Sequence, residues 1–214
     1  LRAQGYKAFY LAIGCQGGRT AGVPGEDAAG IQTAVALLRT VGGDESHKMT
    51  GKTVVIGGGN VAIDAARVAL RCGSSDVTMV CLEPREKMPA SAEEIAEAEE
   101  EGTAIRCGYG PKEFLTKDSH VCGVVLKRCT GLYDGEGRFA PTYDESVTIT
   151  LPCDNVVLSI GQCIQWGNLL DGEAVQLGRG QGAVADAMTY QTAQSDIFVG
   201  GDVYTGPRFA IDAI

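Results

Sequence analysis

The sequence lacks the features that mark several large classes of protein. Its longest apolar runs, 53–56 and 77–82, fall far short of the ~20 residues that span a bilayer, and no signal peptide opens it. Its 18 basic residues face 27 acidic ones, and a formal charge of -9 argues against a nucleic-acid partner, because phosphate backbones select basic surfaces. We therefore expect no membrane and no nucleic-acid partner, and a cytoplasmic location.

Local metal and dithiol motifs are also missing. None of the eight cysteines belongs to a C-x-x-C pair, which argues against a zinc ribbon, a local iron–sulfur run and a dithiol redox motif. Cys81 and Cys129 lie in apolar, strand-like runs, where a thiol behaves as a small hydrophobe, so we expect reduced core cysteines. His47 and His120 fall in polar segments and are expected at the surface. We predict no metal ligands.

Glycine is abundant, and its 30 residues divide the sequence into alternating elements. We predict strands over 8–13, 53–56, 77–82, 155–160 and 197–199, and helices over 31–41, 60–72 and 91–101. From 103 to 151 the pattern changes to short alternating strands, 103–107, 112–116, 121–129 and 147–151, with a hairpin turn at 134–137. This order predicts an α/β fold: a Rossmann-like parallel sheet with helices and an antiparallel β excursion.

A dinucleotide fingerprint, Gly-x-Gly-x-x-Ala, lies between a predicted strand and a predicted helix. Gly57 permits a tight turn, Gly59 lets the backbone approach a pyrophosphate, and Ala62 keeps the helix close to the sheet. The free N–H groups at the start of the helix and the helix dipole then face the anion. The predicted pyrophosphate-binding residues are Gly57, Gly58, Gly59, Asn60, Val61 and Ala62.

Two charged residues after the next strand bear on the choice of cofactor. Glu83 ends that strand, where a carboxylate accepts hydrogen bonds from a ribose 2′-hydroxyl and repels a 2′-phosphate. This favours NAD(H) over NADP(H). Arg85 weakens the preference, because a nearby arginine pairs with the extra phosphate. The same residues also fit a surface Glu-Pro-Arg turn without a role in binding.

Segments spread over the whole sequence resemble the glutamate synthase small-subunit family of flavoproteins. They are 56–67, 88–90, 108–111, 158–162, 196–202 and 205–207. The family also includes the corresponding domains of dihydropyrimidine dehydrogenase and of related bacterial ferredoxin-linked oxidoreductases. Many members carry paired arginines suited to NADPH after the second strand. Here Cys81-Leu82-Glu83 occupies that region, which supports NADH.

The resemblance implies an NAD(P)-binding domain inserted into an FAD-binding domain. The inserted domain is then 28–164, and 1–27 with 165–214 form an incomplete FAD-binding Rossmann-like domain. The family's aspartate in Gly201-Asp202 holds the ribityl and pyrophosphate region of the flavin, and a helix that begins at Thr205-Gly206-Pro207 faces the isoalloxazine edge. The resemblance also places Gly161 and Gln162 among the cofactor-binding residues.

The two ends of the sequence suggest a piece of a longer polypeptide. The sequence starts at Leu1 without Met and stops at Ile214 in a helical pattern. Relatives carry the FAD glycine fingerprint, and often iron–sulfur cysteines, ahead of the matched region. We expect the partner to be that missing FAD and iron–sulfur portion or another redox subunit, and the chain alone to hold no FAD and to be inactive.

The expected activity of the parent enzyme is hydride transfer between NAD(P)H and FAD, with electrons passed to a further centre. The cofactors perform this chemistry, so we predict no catalytic side chain. A short-chain dehydrogenase needs Tyr-x-x-x-Lys, and none of the seven tyrosines has Lys four residues on. A thioredoxin reductase needs a dithiol in its inserted domain. An NAD(P)-binding sensing or structural module without redox activity stays open as the alternative.

Overall fold

A computed structural model describes residues 1–208 and 210–213 of the chain. The strands are β1 (Phe9–Leu11), β2 (Gly17–Gly18), β3 (Ile31–Thr33), β4 (Lys52–Ile56), β5 (Asp76–Cys81), β6 (Ala104–Cys107), β7 (Tyr109–Lys117), β8 (His120–Tyr133), β9 (Phe139–Pro152), β10 (Asn155–Leu158), β11 (Gln162–Cys163) and β12 (Ile197–Val199). The α-helices are α1 (Ala34–Gly43), α2 (Asn60–Arg71), α3 (Ala92–Glu100) and α4 (Asp202–Thr205), and short 3-10 helices cover Arg2–Gln4, Arg85–Lys87, Arg179–Gln181 and Ala210–Ala213.

The chain divides into two compact units. The insert unit is Gly18–Ile160, and the flanking unit is Leu1–Gly17 together with Gly161–Ile214. The sequence-based boundaries were 27/28 and 164/165. Residues 18–27 join the insert unit because they pack on its antiparallel strands: Phe114 N–H donates to the Pro24 carbonyl at 2.8 Å, and Val23 packs against the core there.

The insert unit is built on a five-stranded parallel sheet in the order β3-β10-β4-β5-β6. Side chains alternate between its two faces, as a strand requires. Val55 points to a core shared with α1, α2 and α3, whereas Val54 and Ile56 point to a second core shared with β7 and β8. Helices therefore cover one face and an antiparallel sheet, β7-β8-β9, covers the other. The predicted α/β class is confirmed.

Helix α2 packs closely on the sheet because its inner face is small. Ala62, Ala65, Ala66 and Ala69 are fully buried, and Ile63 supplies the one large side chain on that face with no exposed surface. Close contact of backbone and sheet brings the start of the helix directly over the carboxyl end of β4.

We expect Ile63→Ala to destabilise the insert unit by about 2–5 kcal/mol, because the change removes buried methylene groups and leaves a cavity. Urea unfolding followed by circular dichroism measures the effect. The neighbouring exposed Asp64→Ala is the control and should change the free energy of unfolding by less than about 0.5 kcal/mol. Equal effects of the two changes would contradict the packing described for α2.

Two predicted elements differ from the structure. The helix predicted over 31–41 begins only at Ala34, because Ile31–Thr33 pair with β10 as an edge strand and Thr33 caps α1, its Oγ1 accepting from Ala36 N–H at 3.3 Å. The sequence pattern groups the strand predicted over 103–107 with the short alternating strands. The structure instead pairs this strand, β6, in parallel with β5 at the edge of the five-stranded sheet. In both cases pairing with a distant strand, which local periodicity does not encode, decides the outcome.

The predicted hairpin is confirmed as the turn between β8 and β9. Gly137 N–H donates to the Asp134 carbonyl at 3.0 Å, and the Asp134 carboxylate accepts from the N–H groups of Glu136 and Arg138, each at 2.9 Å. The side chain of Arg138 also binds this carboxylate, and these bonds lower the pKa of Asp134. An aspartate that satisfies its own turn in this way stabilises a tight reversal.

The flanking unit contains a small parallel pair, β1 and β12, with Phe9 aligned to Ile197. Cys15, Ile164 and Val199 are among the buried residues of its core. The Arg2 guanidinium binds the Asp196 carboxylate at 2.8 Å and holds its pKa at about 2.

The end of the flanking unit differs from the prediction that a helix begins at Thr205-Gly206-Pro207. Instead, α4 ends at Thr205, Gly206 caps it with φ 78°, and a 3-10 helix follows at Ala210–Ala213. The positive φ of Gly206 interrupts the helical path. Phe209 and Ile214, which the predicted helix includes, lie outside the described residues. Over 1–208 and 210–213, no helix is long and apolar enough to cross a membrane.

Candidate dinucleotide site

Gly57, Gly58 and Gly59 form the turn between β4 and α2, and each has different surroundings. Gly57 has φ 148°, and a Cβ there would clash with the Ser159 carbonyl oxygen. Its N–H donates to the Val80 carbonyl at 2.8 Å. Gly58 is buried, and a Cβ there would lie 2.9 Å from Cys81 Cβ and 3.0 Å from Glu83 Oε2. The fold itself therefore requires glycine at both positions.

Gly59 is different, because the fold does not require glycine there. Its backbone has φ -94° and ψ 176°, which any residue adopts, and a Cβ would meet nothing within 4 Å. It is the N-cap of α2, and glycine has no side chain to cap the first N–H groups of the helix. The space left open at this position lies at a helix N-terminus, where unpaired N–H groups and the helix dipole attract an anion.

The loop that follows the 3-10 helix Arg85–Lys87 is hydrogen-bonded to the glycine turn. Ala90 N–H donates to the Gly58 carbonyl at 3.1 Å, and Ser91 N–H donates to Asn60 Oδ1 at 3.0 Å. Asn60 was predicted as a cofactor contact, and its side-chain oxygen instead holds this loop, while its backbone stands at the start of α2. Ser91 in turn caps α3 by accepting from Glu94 N–H at 3.2 Å.

A pocket of about 650 Å³ opens over the carboxyl ends of β4 and β5. Its floor is Gly57–Gly59, and Cys81, Leu82 and Glu83 form one side. The remaining walls are Arg19–Val23, Ile56, Val80, Pro89, Tyr109–Pro111, Lys127, Phe139, Pro141, Tyr143, Ser159 and Ile160. All of these residues belong to the insert unit. In open parallel sheets, ligands bind at this edge, beyond the carboxyl ends of the strands.

Glu83 and Arg85 have different environments. Glu83 is half-buried, lines the pocket and places its carboxylate beside Gly58. Arg85 is exposed, does not line the pocket and forms an ion pair with Glu99 of α3. Of the two, only the carboxylate stands where a bound ribose would meet it.

The pocket wall at 19–23 was not foreseen in the sequence. Glu26 holds it: its carboxylate accepts from Ala21 N–H at 2.5 Å and from Gly22 N–H at 2.7 Å. Gly22 has φ 69°, which places the loop in a tight reversal. The turn-forming residues of the stretch 22–26 indicate a loop. The sequence alone does not show that the Glu26 carboxylate accepts hydrogen bonds from that loop.

We expect Glu26→Ala to weaken dinucleotide binding several-fold, because the loop loses the acceptor of two charge-assisted bonds and with it the support of the pocket wall. Titration calorimetry with NADH measures this loss. Glu26→Gln keeps one carbonyl acceptor, so its affinity for NADH should lie between those of Glu26→Ala and the unmodified chain. Asp27→Ala, a change at the exposed neighbouring residue, should leave the affinity unchanged. Unchanged affinity in Glu26→Ala would mean that this loop takes no part in binding.

The antiparallel sheet contributes an aromatic and cationic wall that the sequence did not reveal. Lys127 Nζ lies 4.3 Å from the centre of the Tyr143 ring and donates to the Glu145 carboxylate at 2.8 Å. Burial raises the pKa of the Tyr143 hydroxyl. Phe139 lies near the hairpin turn and remains exposed. No pattern could identify these residues, because their position depends on how β8 and β9 fold back over the parallel sheet.

The other predicted site residues fall into two groups. Val61 is half-buried and Ala62 is fully buried in α2, and neither lines the pocket. The rest lie in the flanking unit: Gly161, Gln162, Gly201, Asp202, Thr205, Gly206 and Pro207. Thr205 Oγ1 donates within its own turn to the Gly201 carbonyl at 3.2 Å.

The flanking unit brings Gly14 and Asp202 together. Gly14 follows β1 with φ 66°, and a Cβ there would lie 3.9 Å from Asp202 Oδ2. Gly201, with φ 62°, precedes Asp202 beyond the end of β12. Because β1 and β12 are parallel neighbours, their carboxyl ends place this carboxylate beside a bare backbone.

The geometry of the insert unit defines a class of protein. A glycine turn that joins a parallel strand to a helix N-terminus, under an open pocket at the carboxyl edge of the sheet, is the arrangement of Rossmann-like nucleotide-binding proteins. Residues 2–214 match the model of the pyridine nucleotide-disulphide oxidoreductase family. The chain belongs to this family.

Curated relatives support the same conclusion. The chain is 34% identical over 98% of its length to the NADP(+)-dependent formate dehydrogenase subunit beta of Moorella thermoacetica, of which it covers 30%. It is 29% identical over 98% of its length to the glutamate synthase [NADPH] small chain of Halomonas elongata, of which it covers 47%. The resemblance to the glutamate synthase small-subunit family is thus confirmed. The chain spans about a third to a half of these relatives.

Solved structures share the fold. Mycobacterium tuberculosis FprA in complex with NADPH superposes with a TM-score of 0.75 at 21% identity, over 99% of this chain and 62% of FprA. Thioredoxin reductase from T. acidophilum superposes with a TM-score of 0.72 at 20% identity, over 97% of this chain and 60% of that protein.

Proposed function

We propose that this chain is the pyridine-nucleotide-binding part of a flavin-dependent oxidoreductase. The observation that carries the proposal is the open position at Gly59: the fold tolerates a side chain there, so the glycine is explained by a ligand that approaches the backbone. The pyrophosphate of NAD(H) would lie against the N–H groups at the start of α2, with the adenosine ribose at Glu83.

Within this function, we assign NADH as the preferred nucleotide. The carboxylate of Glu83 lines the pocket beside the turn, and Arg85 is held by Glu99 instead of facing the ribose. The printed names of the relatives specify NADPH or NADP(+), which weighs on the other side. The resemblance to the glutamate synthase small-subunit family implies that many members carry paired arginines in the region where this chain has Cys81-Leu82-Glu83.

The flavin part of the proposal rests on the flanking unit. Asp202, beside the bare backbone of Gly14, is suited to accept hydrogen bonds from the hydroxyls of a ribityl chain. When both cofactors are bound, they supply the hydride transfer between nicotinamide and flavin, and the protein supplies position and electrostatics. The partner would be the polypeptide portion or redox subunit that completes the flavin site and receives the electrons.

The cytoplasm is the location that we propose for this function. All eight cysteines are free thiols, the state that a reducing compartment maintains.

The names of several relatives, such as the NADPH-Fe(3+) oxidoreductase subunit beta of Geobacter sulfurreducens, describe subunits of larger assemblies.

Competition experiments test the binding proposal. NADH should bind the chain with one site per chain, and ADP-ribose, which shares the adenosine and pyrophosphate, should displace it. In the parent polypeptide, anaerobic addition of NADH should bleach the visible absorbance of the flavin. Binding without bleaching in that polypeptide would instead support the nucleotide-sensing module, and absence of NADH binding to the chain would contradict both.

A further inference from the structure

Three sulfur atoms meet beside the glycine turn, in the core between the parallel sheet and its helices. Cys81 Sγ lies 3.7 Å from Cys107 Sγ, which lies 3.9 Å from Met88 Sδ. The two cysteines are register partners at the ends of β5 and β6, and Met88 follows the 3-10 helix Arg85–Lys87. We refer to Cys81, Cys107 and Met88 as the sulfur triad.

We propose that the sulfur triad is a binding site for a soft monovalent metal ion, Cu(I). Thiolate and thioether ligands together select Cu(I) over harder cations. Three sulfurs bound at about 2.3 Å around a trigonal ion stand about 4 Å from one another, taking the usual metal–thiolate bond length. The two observed separations, 3.7 Å between the two thiols and 3.9 Å from Cys107 Sγ to Met88 Sδ, are close to that spacing.

Mainly apolar side chains surround the sulfur triad, and the Glu83 carboxylate lies on the Gly58 side of Cys81. Within residues 1–208 and 210–213, no three His, Cys, Asp or Glu side chains gather as a metal site. The sulfur triad belongs to an apolar cluster, and the oxygen near Cys81 Sγ is the Glu83 carbonyl, at 3.5 Å. An ion reaches the site from the pocket, which Cys81 lines, or past the partly exposed Cys107.

Metal binding here exchanges protons for the ion and involves no oxidation. Each of the two thiols releases its proton to solvent and becomes a thiolate, while the thioether of Met88 stays neutral. Because both thiols lose a proton when the ion binds, affinity for Cu(I) should increase with pH.

The site lies close enough to the glycine turn to affect it. Cys81 Cβ is 2.9 Å from where a Cβ would stand on Gly58, and Glu83 follows two residues later. Two thiolates and one Cu(I) give a net charge of minus one near the expected pyrophosphate. Copper should therefore weaken NADH binding, and NADH should weaken copper binding by the same factor. This coupling rests on the proposed function, whereas copper binding itself does not.

Competition with a coloured Cu(I) chelator, bicinchoninate, under anaerobic reducing conditions tests the proposal on the full chain without nucleotide. The unmodified chain should withdraw one Cu(I) from the chelator. Cys81→Ser and Cys107→Ser should each weaken Cu(I) binding by at least about tenfold. Even the loss of a residue that only hydrogen-bonds to a metal ligand lowers metal affinity by about that factor. Met88→Leu, which keeps the shape of the side chain, should weaken it several-fold.

Matched variants control for the other sulfurs. Cys122→Ser removes an exposed thiol and Met49→Leu a buried thioether outside the sulfur triad, and both should retain the affinity of the unmodified chain. X-ray absorption on the unmodified loaded chain should report three sulfur neighbours at about 2.3 Å, a test that depends on no variant's folding. Nitrogen or oxygen neighbours, or unchanged affinity in both serine variants, would overturn the proposal.

Discussion

Gly59→Val should lower the affinity of the chain for NADH by about tenfold or more, equivalent to at least about 1.4 kcal/mol. The branched side chain would fill the open space at the start of α2, where the pyrophosphate must approach the backbone. Because no atom of the protein lies within 4 Å of that position, the fold should survive. Replacing an N-cap glycine with valine should cost the helix only about 1 kcal/mol. Titration calorimetry measures the affinity.

The control for Gly59→Val is the same change at Gly42. Gly42 is an exposed glycine of α1 with no atom near its Cβ position, and it does not line the pocket. Gly42→Val should fold and keep its affinity for NADH, because the added side chain meets no other atom and valine tolerates a helix better than glycine. Equal NADH binding by Gly59→Val and the unmodified chain would remove the main support for the pyrophosphate assignment.

Glu83→Arg should reverse the choice of nucleotide. In the proposed binding mode, the variant replaces a carboxylate that would accept from the 2′-hydroxyl with a guanidinium that would pair with a 2′-phosphate. We expect the difference between the binding free energies of NADH and NADPH to change by roughly 1.5–3 kcal/mol, the range for hydrogen bonds to charged groups. Both dissociation constants, measured by calorimetry at one salt concentration, give this ratio.

Glu86→Arg provides a control with the same change of charge. Glu86 lies in the exposed 3-10 helix Arg85–Lys87 and does not line the pocket, so a long-range effect of net charge would appear in both variants. A local role of Glu83 predicts a small response at Glu86. An unmodified chain that binds NADPH more tightly than NADH would show that Glu83 does not read the ribose.

The sequence predicts the centre of the pocket well because the determinants are local. A buried strand, three glycines and an alanine-rich helix follow one another within 20 residues, and each reveals its role by spacing alone. Local patterns also predict the start of α3 and the hairpin turn at 134–137. Glu83 follows β5, which the sequence predicts from its apolar run, and lines the pocket.

The walls of the pocket are beyond the reach of the sequence because they come from distant parts of the chain. The loop at 19–23 depends on Glu26 and on packing against β7, and Lys127 and Tyr143 depend on the register of β8 with β9. The sequence predicts helix at β3 for the same reason, because β3 pairs with β10, which is more than 100 residues away. Cys81 and Cys107 likewise become neighbours only through parallel pairing.

Nuclear magnetic resonance of the chain labelled with ¹⁵N tests the central claim most directly. As NADH is added, the backbone amides of Gly59, Asn60 and Val61 should shift along one saturable curve, because these N–H groups receive the pyrophosphate. The amide of Gly57, whose N–H is already bonded to Val80, should shift less. If NADH at saturating concentration leaves the amides of 59–61 unmoved, the glycine turn is not the site where this chain binds a dinucleotide.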